Sequence, residues 1–292
     1  MQTINRLHPL RNAVDNLRGR GGRIALVPTM GALHEGHLTL VREAKRHADH
    51  VVVSIFVNPR QFGANEDLSA YPRQLAADSA LLLGEGVDIL WAPDVAAMYP
   101  PNYATNISVA GVSEGLCGGD RPGHFDGVAT VVCKLFNQVR PDVALFGEKD
   151  WQQLAVIRRM ARDLDLVLPH VDAILGVATV READGLARSS RNAYLTPEQR
   201  AQAACLPAAM RVAIAAIAAG AAGAAGAAVV SALDALRAAL LAGGFQSVDY
   251  AELRDAETIA PTVALTDRPA RLFVAARIGR ARLIDNMPVI PG

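Results

Sequence analysis

Apolar positions in the first half of the chain fall into short continuous runs separated by stretches with helical spacing. Ile24–Val27, Val51–Val57, Asp88–Trp91, Val143–Phe146 and Ile174–Val177 read as strands covered on both faces, which lose the alternation of a half-exposed strand. Between them Leu38–Ala48, Leu75–Gly84, Val128–Val139 and Trp151–Leu164 repeat apolar residues at three- and four-residue intervals, which predicts helices. Strand–helix alternation predicts a parallel sheet wound with helices on both faces. Ligands of such sheets bind beyond the carboxyl ends of the strands, so chemistry is expected just after each run.

The pattern changes after Arg191. Thr196-Pro197-Glu198-Gln199 has the residues of a capped helix start. An alanine-rich helical region follows, then alternation at Ser247–Leu253 and Arg271–Ile278, with Arg280–Asn286 leading towards the end. The fold class expected is α/β. A Rossmann-like parallel-sheet domain would span residues 1–185, and a smaller α+β C-terminal lid domain 186–292. Val212–Leu233 has no charged residue and is long enough for a membrane span. It is mostly alanine, is interrupted by Gly220, Gly223 and Gly226, and lacks the Leu/Ile/Phe density that lipid favours. A helix, a glycine-broken linker and a second helix are expected instead.

Composition narrows the function classes. At 292 residues with formal net charge +0, the chain can build two cores and projects no global field towards nucleic acid or an anionic membrane. Phosphate binding must therefore rest on a few local cations. Lys45, Lys134 and Lys149 are the only lysines, so the ammonium inside Gly147-Glu148-Lys149-Asp150 stands out in an arginine-rich chain. Cys117, Cys133 and Cys205 are far apart and form no CxxC pair, so neither a zinc site nor a disulfide framework is expected. No secretory leader pattern opens the chain, and a cytoplasmic location is expected.

Five segments carry candidate chemistry. Pro28-Thr29-Met30-Gly31-Ala32-Leu33-His34-Glu35-Gly36-His37 joins a strand to a helix, a frequent phosphate site. Its two imidazoles can donate to a polyphosphate and stabilise charge moving onto pyrophosphate. Zinc would need the HExxH spacing and a third ligand, both absent here. Gly31 can supply the turn, and Gly36 allows close approach of backbone to ligand. Asn58-Pro59-Arg60-Gln61 ends a strand; it reads equally as an ordinary turn or as one placing the Gln61 amide on a hydroxyl or carboxylate. Arg121-Pro122-Gly123-His124-Phe125-Asp126-Gly127 precedes a helix, with Asp126 as a candidate cap and Arg121 and His124 as local positive potential. In Gly147-Glu148-Lys149-Asp150 the lysine suits phosphate and Asp150 a ribose hydroxyl, with Gln153 one turn on facing the same cleft. Arg188-Ser189-Ser190-Arg191 sets two hydroxyls between two guanidiniums, either phosphate ligands on a mobile lid or a solvated loop.

In series, PTMGALHEGH, VSIFVNPRQF, RPGHFDGV, GEKDWQQL and SSRN, with the closing RLIDN, resemble the pantothenate synthetase (pantoate–β-alanine ligase) family of the HxGH nucleotidyltransferase-like superfamily. The resemblance implies a two-step, ATP-dependent ligase. ATP and (R)-pantoate would give pantoyl adenylate and pyrophosphate, and β-alanine would then displace AMP to give pantothenate. It implies ATP binding by Met30, Gly31, Ala32, Leu33, His34, Glu35, Gly36 and His37, with His37 catalytic, an electrostatic stabiliser more than a literal proton donor. It further implies ATP binding by Gly147, Glu148, Lys149, Asp150, Val180, Arg188, Ser189, Ser190 and Arg191. Pantoate would bind Gln61 and Gln153, and β-alanine Gln61. ATP is a co-substrate; Mg2+ would be held mainly by its phosphates, with Asp78 the one weak protein candidate and no protein metal site. The expected partners are these small molecules, with no nucleic acid or membrane, and the expected assembly is a homodimer.

Three departures from the family pattern stand out. Arg188 replaces an apolar residue before Ser-Ser-Arg, Leu168–Ala173 looks like a short insertion, and Cys117 stands where an acidic residue is common. Two rival readings share the histidine segment: a nucleotidyltransferase that moves AMP or CMP onto a phosphate, and a silent nucleotide-binding module. The first leaves Gln61, Gln153 and the full series unexplained, and intact His34, His37, Lys149 and Ser190 argue against the second.

Overall fold

The structure, a computed structural model, describes residues 1–19, 21–63, 68–220 and 225–290. By packing these divide into two compact units, Met1–Glu148 with Gln152–Ala178, and Lys149–Trp151 with Thr179–Gly292. The division at Ala178/Thr179 lies a few residues before the expected 185/186 boundary.

The first unit is built on strands β1 (Gln2–Ile4), β2 (Ile24–Thr29), β3 (His50–Ile55), β4 (Ile89–Trp91), β5 (Val143–Gly147) and β6 (Ile174–Val177). Their order is β1-β4-β3-β2-β5-β6, with every pair parallel. Three-residue β1 is too short to show a period, so the pattern along the chain does not reveal it. The winding runs from β2 one way to β3 and β4, and from β5 the other way to β6, so the order reverses between β2 and β5. That switch point opens a crevice at the strands' carboxyl ends. Ile24 to Val27 and Val51 to Val53 are buried on both faces, each large side chain contributing roughly 1.5–3 kcal/mol on burial.

The helices of this unit are α1 (Leu7–Arg18), α2 (Glu35–His47), α3 (Leu75–Gly84), α4 (Val95–Met98), α5 (Leu116–Asp120), α6 (His124–Val139) and, from its second residue on, α7 (Trp151–Asp163). α2 turns Leu38, Val41 and Ala44 inward. α6 starts at His124 after left-handed Gly123, and Asp126 does not cap it; its carboxylate instead accepts from Asn106 Nδ2 (3.1 Å) and Ser108 Oγ (2.9 Å). Asp142, just before β5, accepts from Ile24 N–H at 2.8 Å and Arg18 Nη1 at 3.1 Å, tying β5 to β2. Burial pushes its carboxyl up, but Arg18 and the Ile24 N–H outweigh that and leave it below the usual carboxylate range.

In the second unit β7 (Ser247–Asp255), β8 (Ala270–Ile278) and β9 (Ala281–Val289) form an antiparallel sheet in sequence order. α8 (Pro197–Ala203) is capped reciprocally by Thr196 and Gln199. α9 (Cys205–Gly220) and α10 (Ala225–Ala242) follow, and the linker expected between them falls on 221–224, outside the described residues. Pro197–Gly220 is long and apolar enough to cross a membrane by length and composition. Yet Leu206, Met210, Ala213 and Ile217 form a stripe that packs with Leu236 and Leu240 of α10 and with Leu272, Val274 and Ala276 of β8.

Candidate active site

The turn after β2 is held by two side chains. Thr29 Oγ1 donates to Ser54 O at 2.8 Å and accepts from Gly31 N–H at 3.2 Å. Gly31 (φ +83°) and Ala32 (φ +50°) both lie in the left-handed region, which aims successive main-chain N–H groups to one side as an anion-binding nest. Asp78 of α3 fills it. Its Oδ2 accepts from Ala32 N–H at 3.0 Å and its Oδ1 from Leu33 N–H at 2.9 Å, and the residue is 1% exposed. Both carboxylate oxygens thus hold the loop, which makes Asp78 a support of the turn. A Cβ on Gly31 would lie 3.0 Å from Asp78 Oδ2, on top of the strain of its positive φ.

The two histidines open α2 as a reciprocal cap. His34 Nδ1 accepts from Gly36 N–H at 3.1 Å, and His37 Nδ1 accepts from His34 N–H at 3.3 Å. A main-chain N–H can only donate, so each neutral ring must carry its proton on Nε2. The ring centroids are 4.1 Å apart. A Cβ at Gly36 would meet His34 Cε1 at 2.9 Å, so the ring would have to shift to admit one. The result is a pair of Nε2–H donors at the positive end of a helix, beside the switch point.

Gln61 follows β3 in the one-turn helix Pro59–Gln61 and is 8% exposed. Its Nε2 donates to Met30 Sδ at 2.8 Å, and its Oε1 accepts from Asn58 Nδ2 at 3.2 Å. The Gln61 carbonyl accepts from His124 Nδ1 at 2.8 Å and Arg121 Nη2 at 3.2 Å, so these two basic residues of the 121–127 segment support the Gln61 turn. Gly127 packs against the same turn, where a Cβ would meet Arg60 O at 2.3 Å. Tyr99 donates its hydroxyl to Asn58 Oδ1 at 2.9 Å. Burial pushes the Tyr99 phenol up to about 12, so it stays a neutral donor at physiological pH.

Gly147 ends β5 on the other side of the switch point, and Glu148 follows it. In α7, Gln152 is the buried glutamine: it accepts from Cys117 N–H at 3.1 Å and donates to Val112 O at 3.2 Å. Gln153, its neighbour in the first turn, is half-buried.

In the second unit Lys149 Nζ lies 3.6 Å from Asp150 Oδ1, and the Lys149 carbonyl accepts from Asn286 Nδ2 at 2.9 Å. Asn286 Oδ1 accepts from Arg271 Nε at 2.8 Å, and the Arg271 guanidinium stacks 3.7 Å over Trp151, whose Nε1 donates to Ala256 O at 2.7 Å. Buried Asp285 takes both arms of Arg181, at 2.7 and 3.0 Å. Arg188 donates its N–H to Val180 O at 2.9 Å, while its guanidinium pairs with Glu182 at 3.0 Å. Ser189 Oγ accepts from Arg191 N–H at 3.3 Å and starts the one-turn helix Ser190–Tyr194.

Two histidine donors at the switch point of a parallel sheet match one family along the whole chain. Residues 2–288 match the family described as Pantoate-beta-alanine ligase. The chain belongs to the pantoate–β-alanine ligase family. It is 71% identical over 291 residues to the pantothenate synthetase of Novosphingobium aromaticivorans, covering 100% of both, and 60% identical to that of Sphingopyxis alaskensis, covering 99% of this chain and 100% of the relative. The crystal structure of pantothenate synthetase from Thermus thermophilus superposes with a TM-score of 0.89 at 47% identity, over 100% of both chains. The pantoate-beta-alanine ligase from Francisella tularensis, complexed with beta-gamma ATP and beta-alanine, does so with a TM-score of 0.82 at 32% identity, over 100% of this chain and 99% of that one. This chain is an AMP-forming, ATP-dependent ligase of that family.

Within the ligase Met30 to His37, Gln61, Gly147, Glu148 and Gln153 belong to the first unit, and Lys149, Asp150, Val180 and Arg188 to Arg191 belong to the second. Nothing local in the sequence marks Tyr99, whose partner Asn58 lies far along the chain. Asp285 and Asn286 are visible there only as part of RLIDN, without a role. Asn58 carries the signal of an Asn-Pro turn and nothing more.

Proposed function

We propose that His34 and His37 hold the ATP phosphates while a pantoate carboxylate oxygen bonds to the α-phosphorus and pyrophosphate leaves. The observation that carries this reading is the pair of Nδ1 atoms engaged by main-chain N–H groups, which leaves the proton of each neutral ring on Nε2. Charge builds on the pyrophosphate bridge oxygen as the bond breaks, and donors already in place stabilise it without reorganising. His37 is the catalytic member of the pair. Met30 to Gly36 contribute main-chain contacts to the nucleotide. Gly147, Glu148, Lys149, Asp150 and Val180 take the adenosine and its phosphate, with the Lys149 ammonium on phosphate oxygen. Of Arg188, Ser189, Ser190 and Arg191, the last three serve the phosphates by side chain, whereas Arg188, paired with Glu182, serves by main chain.

Gln61 and Gln153 hold pantoate, and Gln61 is also within reach of β-alanine. In the second step the β-alanine amine attacks the acyl carbon, the carbon–oxygen bond to AMP breaks, and the amine loses a proton. Mg2+ enters on the ATP phosphates; the described residues form no carboxylate cage for it, and Asp78 is committed to the loop. The working form is a cytoplasmic homodimer. The test is AMP release from ATP, which should need both pantoate and β-alanine, while pantoate alone should support exchange of pyrophosphate into ATP. Exchange of equal rate without pantoate would overturn the adenylate pathway, and a monomer on analytical ultracentrifugation would overturn the dimer.

A further inference from the structure

We infer that Tyr99 and Asn58 are positioning residues that fix which end of the Gln61 amide meets the substrate. Their role rests on the reading that Gln61 holds pantoate, and it starts from two main-chain groups of opposite polarity. The Arg60 N–H, 3.2 Å from Asn58, can only donate, so the atom facing it is the Asn58 oxygen. The Gly127 carbonyl, 3.0 Å away on the other side, can only accept, so it faces the Asn58 nitrogen. Asn58 therefore has one allowed orientation, and the Tyr99 hydroxyl reinforces it by donating to the same oxygen.

Asn58 then dictates to Gln61. Its second amide hydrogen must find an acceptor in a site that is 1% exposed, and the Gln61 oxygen is there at 3.2 Å. Turning the Gln61 amide over would set two NH2 groups against each other in a buried place. The four hydrogen-bond positions of Asn58 are taken by Arg60 N–H, Tyr99, Gly127 O and Gln61, so it acts through Gln61 rather than on substrate. The other end of the Gln61 amide is its Nε2, whose partner is the thioether of Met30 at 2.8 Å, a weak acceptor that a better one can displace. The subsite is built for an acceptor, meaning the carboxylate or a hydroxyl oxygen of a small acid, and rejects a group that can only donate.

Tyr99 is anchored independently of this chain of bonds. It packs on Phe56 at 6.1 Å and on Tyr103 at 5.1 Å, and Arg60 lies over its ring at 5.5 Å. Removing its hydroxyl should leave the ring in place and leave Asn58 Oδ1 still served by Arg60 N–H.

The experiment is a double-mutant cycle of Tyr99→Phe and Gln61→Ala, reading KM for pantoate, ATP and β-alanine by AMP release. Tyr99→Phe should raise the pantoate KM about threefold to tenfold and leave the ATP KM within about twofold. In the Gln61→Ala background it should add nothing, because its effect passes through the missing amide. Asn58→Asp, which replaces the donor by an acceptor and so draws the Gln61 Nε2 inward, should raise the pantoate KM more than Tyr99→Phe. Additive effects, an ATP KM that rises as much as the pantoate KM, or no effect of Tyr99→Phe beside a large one of Gln61→Ala would overturn the inference while leaving pantoate on Gln61. No effect of Gln61→Ala would remove Gln61 from pantoate binding and the inference with it.

Discussion

The histidine turn and the Lys149 segment are both phosphate-facing stretches in the proposed reaction, yet they are held in opposite ways. His34 and His37 are oriented by N–H groups of their own turn, two and three positions away. Lys149 to Trp151 depend on residues far along the chain: Asn286, 137 positions on, holds the Lys149 carbonyl, and Ala256, 105 positions on, takes the Trp151 N–H. A short-range frame survives as long as its own few residues do. A long-range frame exists only once its whole unit has folded, so damage to the second frame is expected as lost stability and damage to the first as lost rate.

The sharpest way to test this contrast is His37→Ala. With one preset donor removed, adenylation measured by pyrophosphate exchange should slow by about 10²–10³-fold, while the melting temperature moves little. Asp285→Ala is the converse. It leaves the Arg181 charge without the partner that takes both its arms, so it should cost about 3 kcal/mol in denaturant unfolding. An Asp285→Ala protein as stable as the parent would end the claim that the second frame is structural.

Asp78→Asn stands between the two, since a side chain from α3 serves the local turn. One acceptor is lost and an NH2 is turned towards a main-chain N–H, so the ATP KM should rise about tenfold, with the Mg2+ concentration for half-maximal rate unchanged. A shift in Mg2+ demand instead would return Asp78 to the metal. The smallest effect is expected from Arg188→Leu. Its guanidinium is spent on half-exposed Glu182, so every KM should stay within about twofold.

The same division explains what is legible in the sequence. Strands β2 to β6 can be read because burial on both faces leaves continuous runs such as Ile24-Ala25-Leu26-Val27, and the histidine turn because its determinants are neighbours. Asp126 reads wrongly as a cap because the pattern cannot reveal that α6 starts at His124 after Gly123, nor that Asn106 and Ser108 claim the carboxylate. Arg121 and His124 are visible as charge near a loop, but their hold on the Gln61 carbonyl joins positions 60 and 63 residues apart. Asp78 shows the limit most clearly. A lone acid one turn into a helix looks like a surface carboxylate or a weak metal ligand, and only the fold brings it under the Gly31–Ala32 turn.

That buried carboxylate has a further consequence for how nucleotide arrives. The nest at Ala32 and Leu33 is satisfied by an anion the protein carries itself, so the turn has its working shape before ATP is present. Binding then spends little free energy on ordering the loop, and more of the contact energy remains as affinity. Capture of ATP should accordingly proceed in a single kinetic phase at this turn, with no slow step of loop ordering after encounter.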